Sequence, residues 1–185
     1  LMVKLVLWDV DGTLVDSQAH IVGAMAQAFT RSELTPPPRA DILSIVGLSL
    51  PHAMAVLAPN EPTDQLVRDY KAAYHAIRME DGTTHASPLY AGIRAVLDTL
   101  NARTDLVMGV ATGKSHRGLQ DLVDAHALRG HFVTLQDADG HPSKPHPSMA
   151  LTALAESGAE MGVMDAENMG DLIPAIERAL GDNHG

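Results

Sequence analysis

An α/β fold is what this sequence predicts, with a parallel sheet as its core and a block of helices inserted near the N-terminus. Three observations carry the expectation. Short, β-rich apolar runs alternate with helical patterns over the second half of the chain, the order that produces a parallel sheet with crossover helices. Between the first apolar run and the second, residues from about 16 to 88 read as helix throughout. The chain is also of suitable size and composition. Its 185 residues are 45% hydrophobic and 19% charged, enough for a sizeable buried core and too few charges for disorder.

The elements follow in order. Val3 to Trp8 is apolar except for Lys4 and ends in Asp9-Val10-Asp11-Gly12-Thr13, the pattern of a buried strand that delivers carboxylates to a loop. Ser17 to Arg31, rich in Ala, Gln and Met, reads as a helix, and Thr35-Pro36-Pro37-Pro38 stops it. Asp41 is placed to cap a short helix through Val46. Gly47-Leu48-Ser49 interrupts it, and helix resumes from Leu50 to Leu57. Pro59-Asn60-Glu61-Pro62 is another break, after which Thr63 or Asp64 caps a longer helix to about Met79. Asp81-Gly82-Thr83-Thr84 is a turn, and Ser87-Pro88 closes the helical block.

From there strand and helix alternate. Ala91 to Asn101 is a helix with Ile93, Val96, Leu97 and Leu100 on one face. Leu106 to Ala111 is a strand, Ser115 to Ala127 a helix, Phe132 to Leu135 a short strand, and Pro147 to Ser157 a helix. Met161 to Met164 is expected as a fourth strand and Leu172 to Leu180 as a last helix. In a parallel sheet of this kind the site belongs at the carboxyl ends of the strands.

Composition excludes several classes. Lys and Arg total 13 against 23 Asp and Glu, a formal charge of −10, which argues against general nucleic-acid binding and against attraction to anionic membranes. Without cysteine there is no disulfide framework, thiolate metal site or Cys nucleophile. No run approaches the roughly 18 apolar residues of a membrane span, and Leu5-Val6-Leu7-Trp8 is too short for the core of a signal peptide. The expected location is therefore cytoplasmic. Leu1 ahead of Met2 reads as an extra residue, and the last five residues read as a frayed tail. Oligomeric state is not legible.

Three segments carry chemistry. In Asp9-Val10-Asp11-Gly12-Thr13 two carboxylates at i and i+2 share a face. One can attack a phosphorus centre while the other exchanges a proton with the leaving group, and the pair attracts a hard cation such as Mg2+. Read alone, the same residues also make an acidic turn. Val110-Ala111-Thr112-Gly113-Lys114-Ser115 puts a hydroxyl and free backbone N–H groups at a strand end, where they can hold phosphate oxygens. Helix capping by Thr112 or Ser115 is the plainer reading. Gly113-Lys114-Ser115 does not complete a P-loop, because Met108 stands where the earlier glycine is required. Ser143-Lys144-Pro145-His146-Pro147 holds a lysine on a proline-stiffened loop before a helix, able to neutralise a carboxylate and a phosphoryl group together. A solvated lysine in a Pro-rich turn is the alternative.

Acid pair, then hydroxyl, then lysine, each after a strand, resembles the haloacid dehalogenase-like phosphohydrolases. Asp9-Val10-Asp11-Gly12-Thr13-Leu14-Val15-Asp16-Ser17 resembles the superfamily's first motif. The segments 110–115 and 143–147 resemble the second and third motifs of its phosphoglycolate phosphatase-like branch. Gly47-Leu48-Ser49-Leu50 is similar to a cap segment that faces substrate in that branch. The similarity spans about Val3 to Ser157. It implies a Rossmann-like parallel core at 1–15 and 89–185 with a helical cap at 16–88, and a Mg2+-dependent phosphatase acting on a small phosphorylated metabolite, phosphoglycolate being the branch-level substrate.

The resemblance also implies roles. Asp9 is the nucleophile that forms an aspartyl-phosphate. Asp11 protonates the leaving oxygen and then activates water. Thr112 and Gly113 bind phosphoryl oxygens, Lys144 neutralises charge, and Gly47 approaches the substrate. Mg2+ sits between the Asp9 carboxylate and the Asp11 backbone carbonyl, with a third acid from a fourth motif. That motif departs from the family's pattern. Asp165, ending the run Met161-Gly162-Val163-Met164, is the first candidate for the third acid and Asp171 the second. Leu172 to Glu177 resembles the family's final helix, so the chain either lacks a segment between Glu160 and Leu172 or is a shortened member. A phosphomutase of the same superfamily and a truncated, non-catalytic paralogue are the other readings. The ten histidines form no metal signature and most are expected to face solvent; His20, just into the first helix of the inserted block, either touches substrate or, on the plainer reading, lies at the surface. Arg117 either helps hold an anion or complements nearby acids.

Overall fold

The apolar runs pair as parallel strands. In the computed structural model, which describes residues 3–80 and 86–162, Lys4–Trp8 (β1) and Leu106–Ala111 (β2) lie side by side, with Lys4 opposite Leu106 and Trp8 opposite Val110. Phe132–Gln136 (β3) flanks β2, and Glu160–Gly162 (β4) flanks β1. The order is β3-β2-β1-β4, all parallel. The chain leaves β1 toward β2 on one side and reaches β4 on the other, so the strand order switches direction at β1, where a crevice opens at the carboxyl ends.

Helices cover this sheet because their apolar residues recur at helical spacing. Ile93–Asn101 (α5) buries Ile93, Leu97 and Leu100. His116–Ala125 (α6) buries Leu119, Leu122 and Val123. Ser148–Ser157 (α7) packs against β3, β2 and β1. The β1 and β2 side chains join α5 and α6 in one hydrophobic cluster that includes Val10, Leu14 and Leu128.

A second cluster belongs to four other helices: Gln18–Arg31 (α1), Arg39–Ser44 (α2), Leu50–Leu57 (α3) and Thr63–Glu80 (α4). Met25, Phe29, Ile42, Met54 and Leu66 form its centre. The chain enters and leaves this helical unit through adjacent crossings. Val15 bridges Leu89, the Asp16 N–H donates to the Pro88 carbonyl at 2.9 Å, and the Tyr90 N–H donates to the Leu14 carbonyl at 3.0 Å.

Several boundaries differ from expectation. Pro38, not Asp41, stands at the N-cap of α2, and Asp41 falls in its first turn, where its charge favours the helix dipole. α2 ends at Ser44 rather than Val46, and α5 begins at Ile93 rather than Ala91. β3 runs one residue further than expected because Gln136 pairs with Ala111, and β4 begins at Glu160. Met164, Asp165, Asp171 and the expected final helix lie outside the described residues. Among the described residues no helix is long and apolar enough to cross a membrane.

Candidate active site

The acids reach the crevice because the loop after β1 is tightly wound. The Val10 carbonyl accepts from the N–H groups of Thr13, Leu14 and Val15 at 3.1, 2.8 and 3.1 Å, and the Gly12 N–H donates to the Val15 carbonyl. Val10 is fully buried. Its neighbours Asp9 and Asp11 point the other way and stay partly open, with side chains 29% and 14% exposed.

Each acid has its own cation. Lys144 Nζ donates to Asp9 Oδ1 at 3.0 Å and to the Ala111 carbonyl at 3.3 Å. The loop that carries Lys144 is anchored by His141, whose Nε2 donates to Gln136 Oε1 at 2.7 Å and whose Nδ1 lies 2.8 Å from Ser148 Oγ. Asp11 Oδ1 takes a 2.7 Å hydrogen bond from the buried Ser17 hydroxyl and a 3.1 Å contact from Lys114 Nζ. Burial is the largest influence on the Lys114 pKa and pulls it down, with a small further lowering from the Arg78 charge, but Asp11 and Tyr74 together outweigh them and the net value rises above that of a free lysine.

Thr112 closes β2 with its N–H donated to the Gln136 carbonyl at 3.1 Å, and its hydroxyl oxygen accepts from the Lys114 N–H at 3.2 Å. The two capping candidates separate here. Ser115 is the N-cap of α6 and accepts from the Gly118 N–H, so Thr112 is not committed to that helix.

The helical unit touches the same place through two glycines. Gly47 has φ +101, a left-handed conformation that L side chains rarely adopt, and a Cβ there would sit 3.6 Å from Asp9 Oδ2 and 3.7 Å from Lys144 Nζ. A Cβ on Gly113 would overlap the Leu48 carbonyl and lie 2.6 Å from that of Gly47. The loop after β2 and the 47–48 segment therefore approach backbone to backbone. The Ser49 N–H, donated to Ser143 Oγ at 2.9 Å, ties that segment to the Lys144 loop as well.

Of the expected site residues, Asp9, Asp11, Thr112, Gly113, Lys144 and Gly47 gather at the strand ends, while Asp165 lies outside the described residues. The sequence reading missed Ser17 and Lys114. Lys114 follows Gly113 on the same strand-end loop, and the argument made for Lys144 applied to it equally. Arg117 complements an acid: its side chain is 92% exposed and faces Asp121 one helical turn away at 4.0 Å. The expectation for the histidines is met in part: His52, His75, His116 and His146 are exposed. His20 is buried, with its ring 6.1 Å from that of Tyr74 and nearly perpendicular to it. His126, His131 and His141 are partly buried and hydrogen-bonded, to the Ser87 carbonyl, Asp98 and Gln136. A solvent-facing histidine and an inward one look alike in a helix rich in alanine.

Among the described residues no group of three His, Asp or Glu side chains forms a metal cluster. The donor set still suits Mg2+, which is commonly held by one or two carboxylates plus water and substrate phosphate. Asp9 supplies a partly open carboxylate and Asp11 a backbone carbonyl on the same turn. A cavity of about 730 Å³ opens beside Asp11, walled by Gly47, Leu50, Tyr74, Arg78 and Lys114 among others.

Comparison with known proteins follows this geometry. The model of the haloacid dehalogenase-like hydrolase family matches residues 6–171. The "Probable phosphatase IndB" of Dickeya dadantii is 31% identical over 184 residues, covering 97% of this chain and 79% of its own. A phosphoglycolate phosphatase of Haemophilus influenzae is 25% identical, covering 93% and 80%. A solved haloacid dehalogenase-like family hydrolase from Streptococcus pneumoniae superimposes with a TM-score of 0.70 at 21% identity, over 95% of this chain and 80% of that one. The chain belongs to the haloacid dehalogenase-like hydrolase family, as a phosphatase-type hydrolase of its phosphoglycolate phosphatase-like branch.

Proposed function

We propose that this chain hydrolyses a small phosphate monoester through an aspartyl-phosphate on Asp9, with Mg2+ as cofactor. One observation carries the reading: Lys144, 135 residues away in sequence, places its ammonium on Asp9 Oδ1 at 3.0 Å. Asp9 Oδ2 attacks phosphorus, forming one P–O bond as the bond to the leaving oxygen breaks, and Asp11 gives that oxygen its proton. Asp11 then takes a proton from water, which attacks the same phosphorus and releases phosphate, regenerating the Asp9 carboxylate. The Thr112 hydroxyl and the Gly113 N–H hold phosphoryl oxygens, and Lys144 offsets charge shared between them and Asp9. Mg2+, held by the Asp9 carboxylate, the Asp11 backbone carbonyl and a third acid such as Asp165, supplies further charge neutralisation when bound.

Residues 16–88 serve as the cap that keeps bulk water from the reacting centre, over a core of 1–15 and 89–185. Relatives named phosphoglycolate phosphatases make phosphoglycolate the first ester to try. The test is phosphate release from a panel of small esters, with Mg2+ and with chelator. Release is expected with Mg2+ alone, and Asp9→Asn is expected to abolish it. Turnover surviving in that variant defeats the covalent route.

A further inference from the structure

A chain of polar side chains runs between β3 and α7, where apolar packing would suffice. Thr134 and Gln136 share one face of β3 and are both buried. The buried residues of α7 are Met149 and Ala153, so a leucine at 136 would bring no polar group to satisfy. The Gln136 amide is instead fully engaged. Its Nε2 donates to Thr134 Oγ1 and to Glu156 Oε2, both at 2.8 Å, and its Oε1 accepts from His141 Nε2 at 2.7 Å. The Thr134 hydroxyl donates to Glu156 Oε2 at 2.6 Å. Glu156 stands in the last turn of α7, where a carboxylate opposes the helix dipole. A buried amide and an acid at the unfavourable end of a helix are local costs, and such costs gather where a site is being held in place.

The chain fixes one ring. With Nε2 of Gln136 facing a carboxylate, the amide oxygen is turned toward His141, and an amide oxygen only accepts. His141 therefore carries a hydrogen on Nε2. Its Nδ1 lies 2.8 Å from Ser148 Oγ, a hydroxyl able to donate or accept. Gln136 is the last residue of β3 and Ser148 the first of α7, so the ring bridges both ends of the loop 137–147, which carries Lys144. Other bonds reach the same loop. The Ala138 N–H donates to the Lys114 carbonyl at 2.9 Å, Asp139 Oδ2 accepts from the His116 N–H at 2.8 Å, and Ser143 Oγ accepts from the Ser49 N–H at 2.9 Å. The first two hold its beginning, and the third comes from the helical unit. The His141 bonds are made within the sheet unit, and they hold the lysine loop to the end of β3 independently of the helices 16–88.

We infer that His141, oriented by Gln136, is a positioning residue for the hydrolysis: by clasping Gln136 and Ser148 it holds the two ends of the loop together and keeps the Lys144 ammonium on Asp9. The inference rests on the reading of Lys144 as the group that offsets charge at Asp9 and the phosphoryl oxygens. His141 touches neither of them. It acts through the loop, and the loop places Lys144 Nζ between Asp9 Oδ1 and the Ala111 carbonyl.

The experiment uses the full chain and two readouts. In the first, amines are acetylated with limiting reagent and Lys144 is followed by peptide mass spectrometry, with the exposed Lys71 as internal reference. Relative to Lys71, Lys144 should react severalfold faster in His141→Ala and in His141→Phe, which keeps a ring but neither nitrogen. In the second, kcat and KM are measured for the ester that the unaltered chain hydrolyses best. Both variants should lower kcat at least about tenfold, the scale of loss that a displaced catalytic group brings, and leave KM nearly unchanged. His141→Gln, whose amide can still donate to Gln136, should recover much of the loss. Adding Gln136→Leu to His141→Ala should cost little more, because both remove the same contact. Recovery by Phe rather than Gln would make the ring mere packing and overturns the inference, as does unchanged Lys144 reactivity in His141→Ala or a double variant whose losses add. Faster Lys144 acetylation in a chain that hydrolyses no ester leaves the placing of Lys144 by His141 standing, and the hydrolase reading alone fails. Hydrolysis that His141→Ala leaves intact keeps the hydrolase reading and removes this one.

Discussion

Two glycines show how single residues govern the site. Gly47 holds a backbone angle that costs an L side chain roughly 1–2 kcal/mol, and its missing Cβ leaves room beside Asp9 Oδ2 and Lys144 Nζ. Gly47→Ala is expected to lower kcat/KM for phosphate release at least about tenfold, with a modest fall in melting temperature. Gly113→Ala should be the more damaging of the two. The atoms that its Cβ meets are backbone carbonyls of residues 47 and 48, which cannot rotate aside as a side chain does. Steady-state kinetics and thermal melts of both variants test the order. These glycines were read from the sequence as groups near substrate. Their second role, allowing two backbones to touch, involves residues 65 positions apart and has no local signature.

At the scale of elements, α4 holds the part of the site that periodicity concealed. Tyr70, Tyr74 and Arg78 recur every four residues, as core residues do, and only the fold reveals a cavity on that side. The same helix yields a titration. Burial, then Tyr74 and Asp11, pushes the Tyr70 phenol well above its ordinary value. Burial, then Asp16, raises that of Tyr90 against a lowering hydrogen bond from Gln18. Both groups ionise later in the folded chain than in the unfolded one, so neither alters stability well below the free tyrosine value of about 10. Above it the unfolded chain loses protons first, and stability falls as pH rises toward the folded values. Absorbance titration should show Tyr70 and Tyr90 ionising later than free tyrosine, and the lag should vanish in denaturant. Strands β1 and β2 were legible because they are short buried runs ended by acids or by Thr-Gly. The start of α2 was misread because Pro38 and Asp41 both suit a helix N-terminus, and only the backbone decides which residue caps.

At the scale of the whole molecule, the described residues form two apolar centres, and each should carry its own share of stability. Leu66 anchors the helical unit and Leu97 the sheet unit, both buried almost completely. Leu66→Ala and Leu97→Ala should each cost about 2–5 kcal/mol, and the double variant about their sum, because the two side chains belong to separate clusters. Urea denaturation of the three variants measures this. Coupling well above the error would mean that the clusters act as one. Alternation of strand and helix was enough to anticipate a parallel sheet. The order β3-β2-β1-β4 was not, since nothing local in β1 says which neighbour it takes on each side. The Asp9–Lys144 pairing was foreseen only by analogy, because 135 residues separate partners that the sheet brings together.

The paired crossings at 14–16 and 88–90 have one more consequence. Because the path out and the path back are hydrogen-bonded to each other, the sheet-forming chain closes on itself before the helices begin. The helical unit thus joins the sheet-forming chain covalently at one paired crossing, and a short turn joining Val15 to Leu89 would leave the strand order intact. Such an insert can be exchanged or removed without rerouting the strands on either side of it.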